Sequence, residues 1–191
     1  MREVELKAVV TDVEGARKRL ARAGASLEFE GALEDRRYDT EDGALSERDE
    51  VLRVRSYRSG SSVRTLLDWK GPADTMTGYK VREEISTEIS DPGALLTMLD
   101  KLGYVVIREI DRRIVQYRIA GTTVRFESYP RMDDLVEVEG DPPAIERAIE
   151  LLGMSRGEFT SDSLAAFVAR FERRTGVLAA VSERELGGTA D

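Results

Sequence analysis

The chain has 191 residues, 41% of them apolar, and a net charge of −8; this is enough for one folded domain with a real core, and no apolar run nears the roughly 18 residues of a membrane span. It has no histidine and no cysteine, which excludes imidazole acid/base chemistry, zinc triads, Ser-His nucleophiles, thiolate metal sites and disulfides, so any metal must be a hard cation held by carboxylates. The acidic balance opposes broad nucleic-acid binding, and the N-terminus lacks a basic-then-apolar leader, which points to a cytoplasmic protein.

In chain order, strand-like alternation opens at Arg2–Val10, and Asp12 caps a helix over Val13–Ala23 that Gly24 stops. Strands follow at Ser26–Tyr38, Val51–Tyr57, Ser62–Lys70 and Tyr79–Ile89, with Thr40–Glu50 as a loop near one mouth and Gly71–Gly78 as a longer connection. Asp91-Pro92 starts a second helix ended by Gly103, then come strands at Tyr104–Ile119, Thr122–Ser128 and Leu135–Glu139. Asp141-Pro142-Pro143 opens a third helix ended by Gly153, and a fourth is expected over Ser161–Arg174. The short turns at Ser59-Gly60-Ser61 and Ala120-Gly121-Thr122 make the sheet antiparallel. One domain over 1–175 is expected, with 176–191 as a flexible tail.

The charged residues recur at a period of two. Glu3, Glu5 and Lys7 share one face of the first strand and Val4, Leu6 and Ala8 the other. A single strand of this kind is commonly just solvated on its polar side. The same alternation returns in Arg53/Arg55, Asp68/Lys70, Lys80/Arg82/Glu84, Arg125/Glu127 and Glu137/Glu139. If these strands close into a barrel with helices outside, the apolar positions face the helices and the charges face one another across the lumen. That lumen would carry the cations Lys7, Arg53, Arg55, Arg64, Lys70, Lys80, Arg82 and Arg125, and the carboxylates Glu3, Glu5, Glu84, Glu127, Glu137 and Glu139. Buried charges at this density need partners, so the set makes sense as a wet tunnel for a polyanion and metal ions. Arginine forks match phosphate oxygens, and carboxylates two apart on a strand can together hold Mg²⁺ or Mn²⁺.

The N-terminal Glu3-x-Glu5-x-Lys7 strand resembles the signature of the CYTH family of triphosphate tunnel metalloenzymes. The match continues in family order through Tyr38-Asp39-Thr40, Leu52-Arg53-Val54-Arg55, Trp69-Lys70-Gly71-Pro72, Arg82-Glu83-Glu84-Ile85, Arg125-Phe126-Glu127 and Val136-Glu137-Val138-Glu139-Gly140, covering about residues 2 to 170. The resemblance implies an α+β fold, an eight-stranded antiparallel β-barrel with helices packed on the outside. It implies that the basic residues hold a triphosphate while Glu3, Glu5 and Glu137 or Glu139 hold metal, with Glu127, one methylene longer, standing where the family has Asp and still binding metal. The register counted back from Tyr117 puts Ile114 where the family has an arginine, so Arg112 or Arg113 must substitute.

Phosphoryl transfer requires alignment, charge neutralisation and an activated nucleophile. Lys7, Arg53, Arg55, Lys70 and Arg82 are the expected catalytic cations, with Lys80, Arg64, Arg112, Arg113 and Arg125 joining them in substrate binding. Hydrolysis of inorganic triphosphate, ATP or thiamine triphosphate is the leading expectation; cyclisation of ATP and non-catalytic polyphosphate binding are the alternatives. No nucleic-acid or membrane partner is expected, and a homodimer is compatible with the sequence.

Overall fold

The structure is a computed structural model that describes residues 2–76 and 78–187, with the backbone alone for Arg2 and Glu3. The strands are β1 (Arg2–Val9), β2 (Ser26–Thr40), β3 (Val51–Ser59), β4 (Ser62–Lys70), β5 (Asp74–Met76), β6 (Tyr79–Ile89), β7 (Tyr104–Ile119), β8 (Thr122–Ser128) and β9 (Leu135–Glu139). The helices are α1 (Val13–Arg22), α2 (Ala44–Glu47), α3 (Pro92–Lys101), α4 (Pro142–Leu152), α5 (Leu164–Thr175) and α6 (Glu183–Gly187). The sheet runs β1-β9-β8-β7-β2-β3-β4-β6, and pairing of β1 with β6 closes it into an antiparallel eight-stranded barrel, with β5 a short flap on β6. Closure abolishes the free edges that an open sheet must protect. β5 and α2 fall where only loops are expected from the sequence, since three- and four-residue elements carry no measurable periodicity.

Turn chemistry fixes the hairpins. Ala120 and Gly121 both adopt left-handed backbone, with φ of 47° and 82°, and join β7 to β8 directly, as a two-residue type I′ turn requires. Asp12 and Asp91 cap α1 and α3 by accepting the amides of Gly15 and Ala94.

The outer face of the barrel is the core. Leu6, Ala8, Val124, Phe126, Val136 and Val138 pack under Ala16 and Leu20 of α1 and Ile145, Ile149 and Leu152 of α4. A second patch sets Leu99 of α3 on Tyr38 and Val54. Each fully buried aliphatic here contributes about 1.5–3 kcal/mol, and these contacts turn the charged alternate positions inward.

The tail differs from expectation. Residues 177–187 return to the barrel: Ala180 exchanges backbone hydrogen bonds with Arg131, the Val181 carbonyl accepts from Asp111, and Ala180, Val181 and Ser182 are buried. Small side chains and paired backbone hold this segment, where composition alone suggests fraying. Residues 188–191 of the expected tail lie outside the described residues.

Candidate functional site

Inside the barrel is a polar cavity of about 240 Å³, lined by side chains from all eight strands. Nine cationic and seven acidic described side chains face it, so it is neither a solvated face nor an apolar core. Of the expected residues, Glu5, Lys7, Arg53, Arg55, Lys70, Lys80, Arg82, Glu84, Arg112, Arg125, Glu127, Glu137 and Glu139 all line it. The backbone of Glu3 is in β1 opposite Arg82; its side chain lies outside the described residues.

A lattice of charge-assisted bonds holds the lining in place. Asp35 of β2 is its hub: Arg55 donates to both its oxygens at 2.7 and 3.0 Å, Arg112 at 3.1 Å, and Arg53 lies at 3.5 Å. Arg53 also donates to Asp68 at 2.6 Å, and Lys70 pairs with Glu84 at 3.1 Å. Burial pushes the Asp35 carboxyl up, but the guanidinium groups of Arg55, Arg53 and Arg112 outweigh it and hold it well below the usual range. Glu137 is likewise ionised: burial opposes the charge, and Lys7 and Arg125 more than offset it. Lys7 donates to Glu137 and lies 3.7 Å from Glu5, which also accepts from Lys80. Burial would lower the Lys7 ammonium, yet Glu137 and Glu5 raise it overall.

Glu127 gives one oxygen to Arg112 at 2.9 Å and the other to the Tyr129 hydroxyl at 2.7 Å. Burial and the Glu127 charge push the Tyr129 phenol well above its usual value, so it stays a donor. Arg82 reaches across the mouth to the Gly71 carbonyl at 2.6 Å and to Asp49. Asp49 sits at φ 52°, in the left-handed region that few residue types other than Gly, Asn and Asp occupy readily.

Two expected cations are elsewhere. Arg64 shares its strand face with Asp68 and Lys70, as the alternation predicts, but it lies beyond the cavity, 4.9 Å over the Tyr57 ring. Arg113 is exposed on the outer face, because its neighbour Arg112 takes the inward position. Ile114 is inward but apolar: with Leu33 and Tyr57 it forms a buried cluster, flanked by Phe29 and Leu66. Phe29 and Tyr57 meet edge to face at 5.2 Å. This septum separates the charged cavity from a second one of about 460 Å³ lined by Glu28, Ser62, Arg64, Gln116 and Arg118.

The structure also brings in Asp35, Arg37, Asp68, Ser86, Tyr57 and Tyr129, which the sequence reading did not place at the site. Asp68 belongs to the Asp68/Lys70 alternation of β4, although the expected lumen carboxylates are all Glu. Asp35 and Arg37 were hidden because β2 reads Glu34-Asp35-Arg36-Arg37, charged on both faces; Glu34 pairs with Arg58 and Arg36 with Asp111 on the outside.

The carboxylates have the chemistry a hard dication requires. Glu5 and Glu139 are direct partners across β1 and β9, with Lys7 opposite Glu137 two pairs along, and like charges so placed repel unless a cation lies between them. Among the described residues no three acidic groups are already gathered into a chelating cluster, because lysine ammonium groups hold Glu5 and Glu137. The donors therefore fit Mg²⁺ or Mn²⁺ provided those ammonium groups turn aside.

Residues 1–146 match the CYTH domain. No curated protein matches by sequence. Among solved structures, a Vibrio parahaemolyticus protein proposed as an adenylate cyclase aligns at 19% identity and a TM-score of 0.74, covering 87% of this chain and 97% of its own. A Pyrococcus horikoshii protein aligns at 24% identity and a TM-score of 0.70, over 88% and 98% of the two chains. A Hippeastrum protein, proposed as an adenylyl cyclase and described as having a dominant triphosphatase activity, aligns at 17% and a TM-score of 0.62, over 95% and 98%. At these identities the likeness is one of fold.

Proposed function

The chain belongs to the CYTH domain family, and from that premise we propose that it is a metal-dependent triphosphatase acting on inorganic triphosphate or on the triphosphate end of an organic molecule. The observation that carries the reading is the lumen itself: a small polar cavity in which cations outnumber described carboxylates and each of the eight barrel strands contributes. Guanidinium and ammonium groups fixed in a water-poor site stabilise charge on transferring phosphoryl oxygens with little reorganisation. Arg53, Arg55, Arg112 and Arg125 are each held in place by a carboxylate, so each sets a fixed positive charge on the lumen wall for phosphate oxygens. Lys7, Lys70 and Lys80 are compact charges that can exchange a carboxylate partner for a phosphate oxygen.

Glu5, Glu137 and Glu139 would hold the metal, with Glu3 preceding them on the same strand as Glu5. When bound, Mg²⁺ or Mn²⁺ supplies charge neutralisation at phosphate oxygens and acidifies a water. Glu127, bonded to Arg112 and to the Tyr129 hydroxyl, would join them by releasing one of these partners, as Glu5 and Glu137 would release their lysines.

The cyclase reading rests on the likeness to the Vibrio parahaemolyticus protein. The cavity favours hydrolysis, because its two tyrosines are not free to stack a base: Tyr57 is in the septum and Tyr129 is bonded to Glu127. Incubation with Mg²⁺ or Mn²⁺ and with triphosphate, ATP or thiamine triphosphate, resolving the products, separates the two. Orthophosphate is expected; cyclic AMP with pyrophosphate would sink the hydrolase reading. Glu5→Gln is expected to abolish turnover with an unchanged far-UV spectrum, and an active variant would remove Glu5 from the metal site.

A further inference from the structure

Eight of the nine cations lining the cavity have a carboxylate within ion-pair distance. Arg37 is the exception among the described residues, and its buried Nε has no hydrogen-bond partner. Its neighbours make matters worse: in the register of the sheet Arg37 lies directly between Arg53 of β3 and Arg108 of β7. Three like charges abreast on adjacent strands repel. Burial first, then Arg53 and Arg108, outweigh the attraction of Asp35 along the same strand and bring the Arg37 guanidinium down to about 10, which still leaves it charged at neutral pH. A charged guanidinium whose buried Nε lacks a partner, set between two like charges, is costly in a folded protein.

We propose that Arg37 is a substrate-binding residue whose guanidinium contacts anionic oxygens of the triphosphate, the ligand being the counterion that the protein itself does not supply. The proposal rests on the triphosphate reading of the cavity and deepens it. The other eight cations are divided between holding the barrel together and holding substrate. Arg37 has only the second task, so its loss should affect the two properties in opposite directions.

Arg37→Gln and Arg37→Lys, compared with the unaltered protein, test this by melting temperature without ligand and by calorimetric affinity for inorganic triphosphate in Mg²⁺. Arg37→Gln is expected to melt higher than the unaltered protein and to bind triphosphate at least tenfold more weakly. Arg37→Lys is expected to recover part of the affinity, because the charge is kept and the fork is lost. Affinity within twofold of the unaltered protein in Arg37→Gln overturns the assignment alone. A lower melting temperature with unchanged affinity assigns Arg37 to the scaffold and also overturns it. Absence of triphosphate binding by the unaltered protein overturns the functional reading and this assignment together.

Discussion

The two ends of the barrel lumen are built by the same strands with the same alternation, yet one is a lattice of ion pairs and the other an apolar septum backed by a second polar pocket. β4 shows the contrast within one strand: Asp68 is 1% exposed and bonded to Arg53, whereas Arg64, four residues back on the same face, is exposed over Tyr57. β7 repeats it, with Arg112 in the lattice and Ile114 in the septum. Facing inward is thus necessary for a place at the site, and position along the strand decides the rest.

The contrast is broken most severely at its charged end. Asp35→Asn leaves Arg53, Arg55 and Arg112 without their shared counterion, and urea denaturation is expected to show a loss of about 3–5 kcal/mol. Ile114→Ala attacks the septum: removing a fully buried side chain should cost about 2–5 kcal/mol by the same measurement. Because Ile114 is not bonded to the charged lining, triphosphate affinity should stay within a few-fold.

Acid sharpens the comparison from outside the lumen. Asp39 accepts from the Ser46 hydroxyl and from the amides of Leu45, Ser46 and Thr40. Burial pushes its carboxyl up, but these hydrogen bonds outweigh burial and hold it at about 2. The folded value lies below the roughly 3.9 of an unfolded chain. Its stabilising contribution is therefore complete above about pH 5 and is lost as pH falls through about 2. Asp39→Asn should flatten the acid limb of a stability-versus-pH curve, and an unchanged limb would assign it to the other lowered carboxylates, Asp35, Asp68 and Glu137 in the lumen and Glu28 and Glu146 outside it. The smallest effect is expected at Arg64→Gln: triphosphate affinity within twofold, and a stability change no larger than about 1 kcal/mol for its cation–π contact.

Most of the architecture could be read from residue order. Strand ends fell within a few residues of expectation, because alternation, Asp caps and Gly stops are local signals. The inward set came through nearly whole, from Lys7 and Arg53 to Glu137 and Glu139, since each strand declares its two faces independently of its neighbours. β2 was the weak point: with Glu34-Asp35-Arg36-Arg37 charged on both sides, neither face could be distinguished, and so the hub Asp35 and the unpaired Arg37 escaped notice. The docking of residues 177–187 was equally hidden, because Ala180 and Ser182 carry no hydrophobic signature that announces burial.

Outside β2 and the Arg112-Arg113 pair, which side chains point inward was determined by the amino-acid order alone, through the two-residue repeat of an extended chain and the preference of Leu6, Phe126 and Val136 for helix-covered positions. What those inward groups meet was decided only by closure of the barrel. Pairing β1 with β6 sets the stagger of all eight strands, and that stagger places Arg112 rather than Arg113 beside Asp35, seals the lumen at Ile114 and leaves Arg37 between two other cations. A strand's faces follow from local sterics, whereas its level against partners dozens of residues away exists only once the ring has closed.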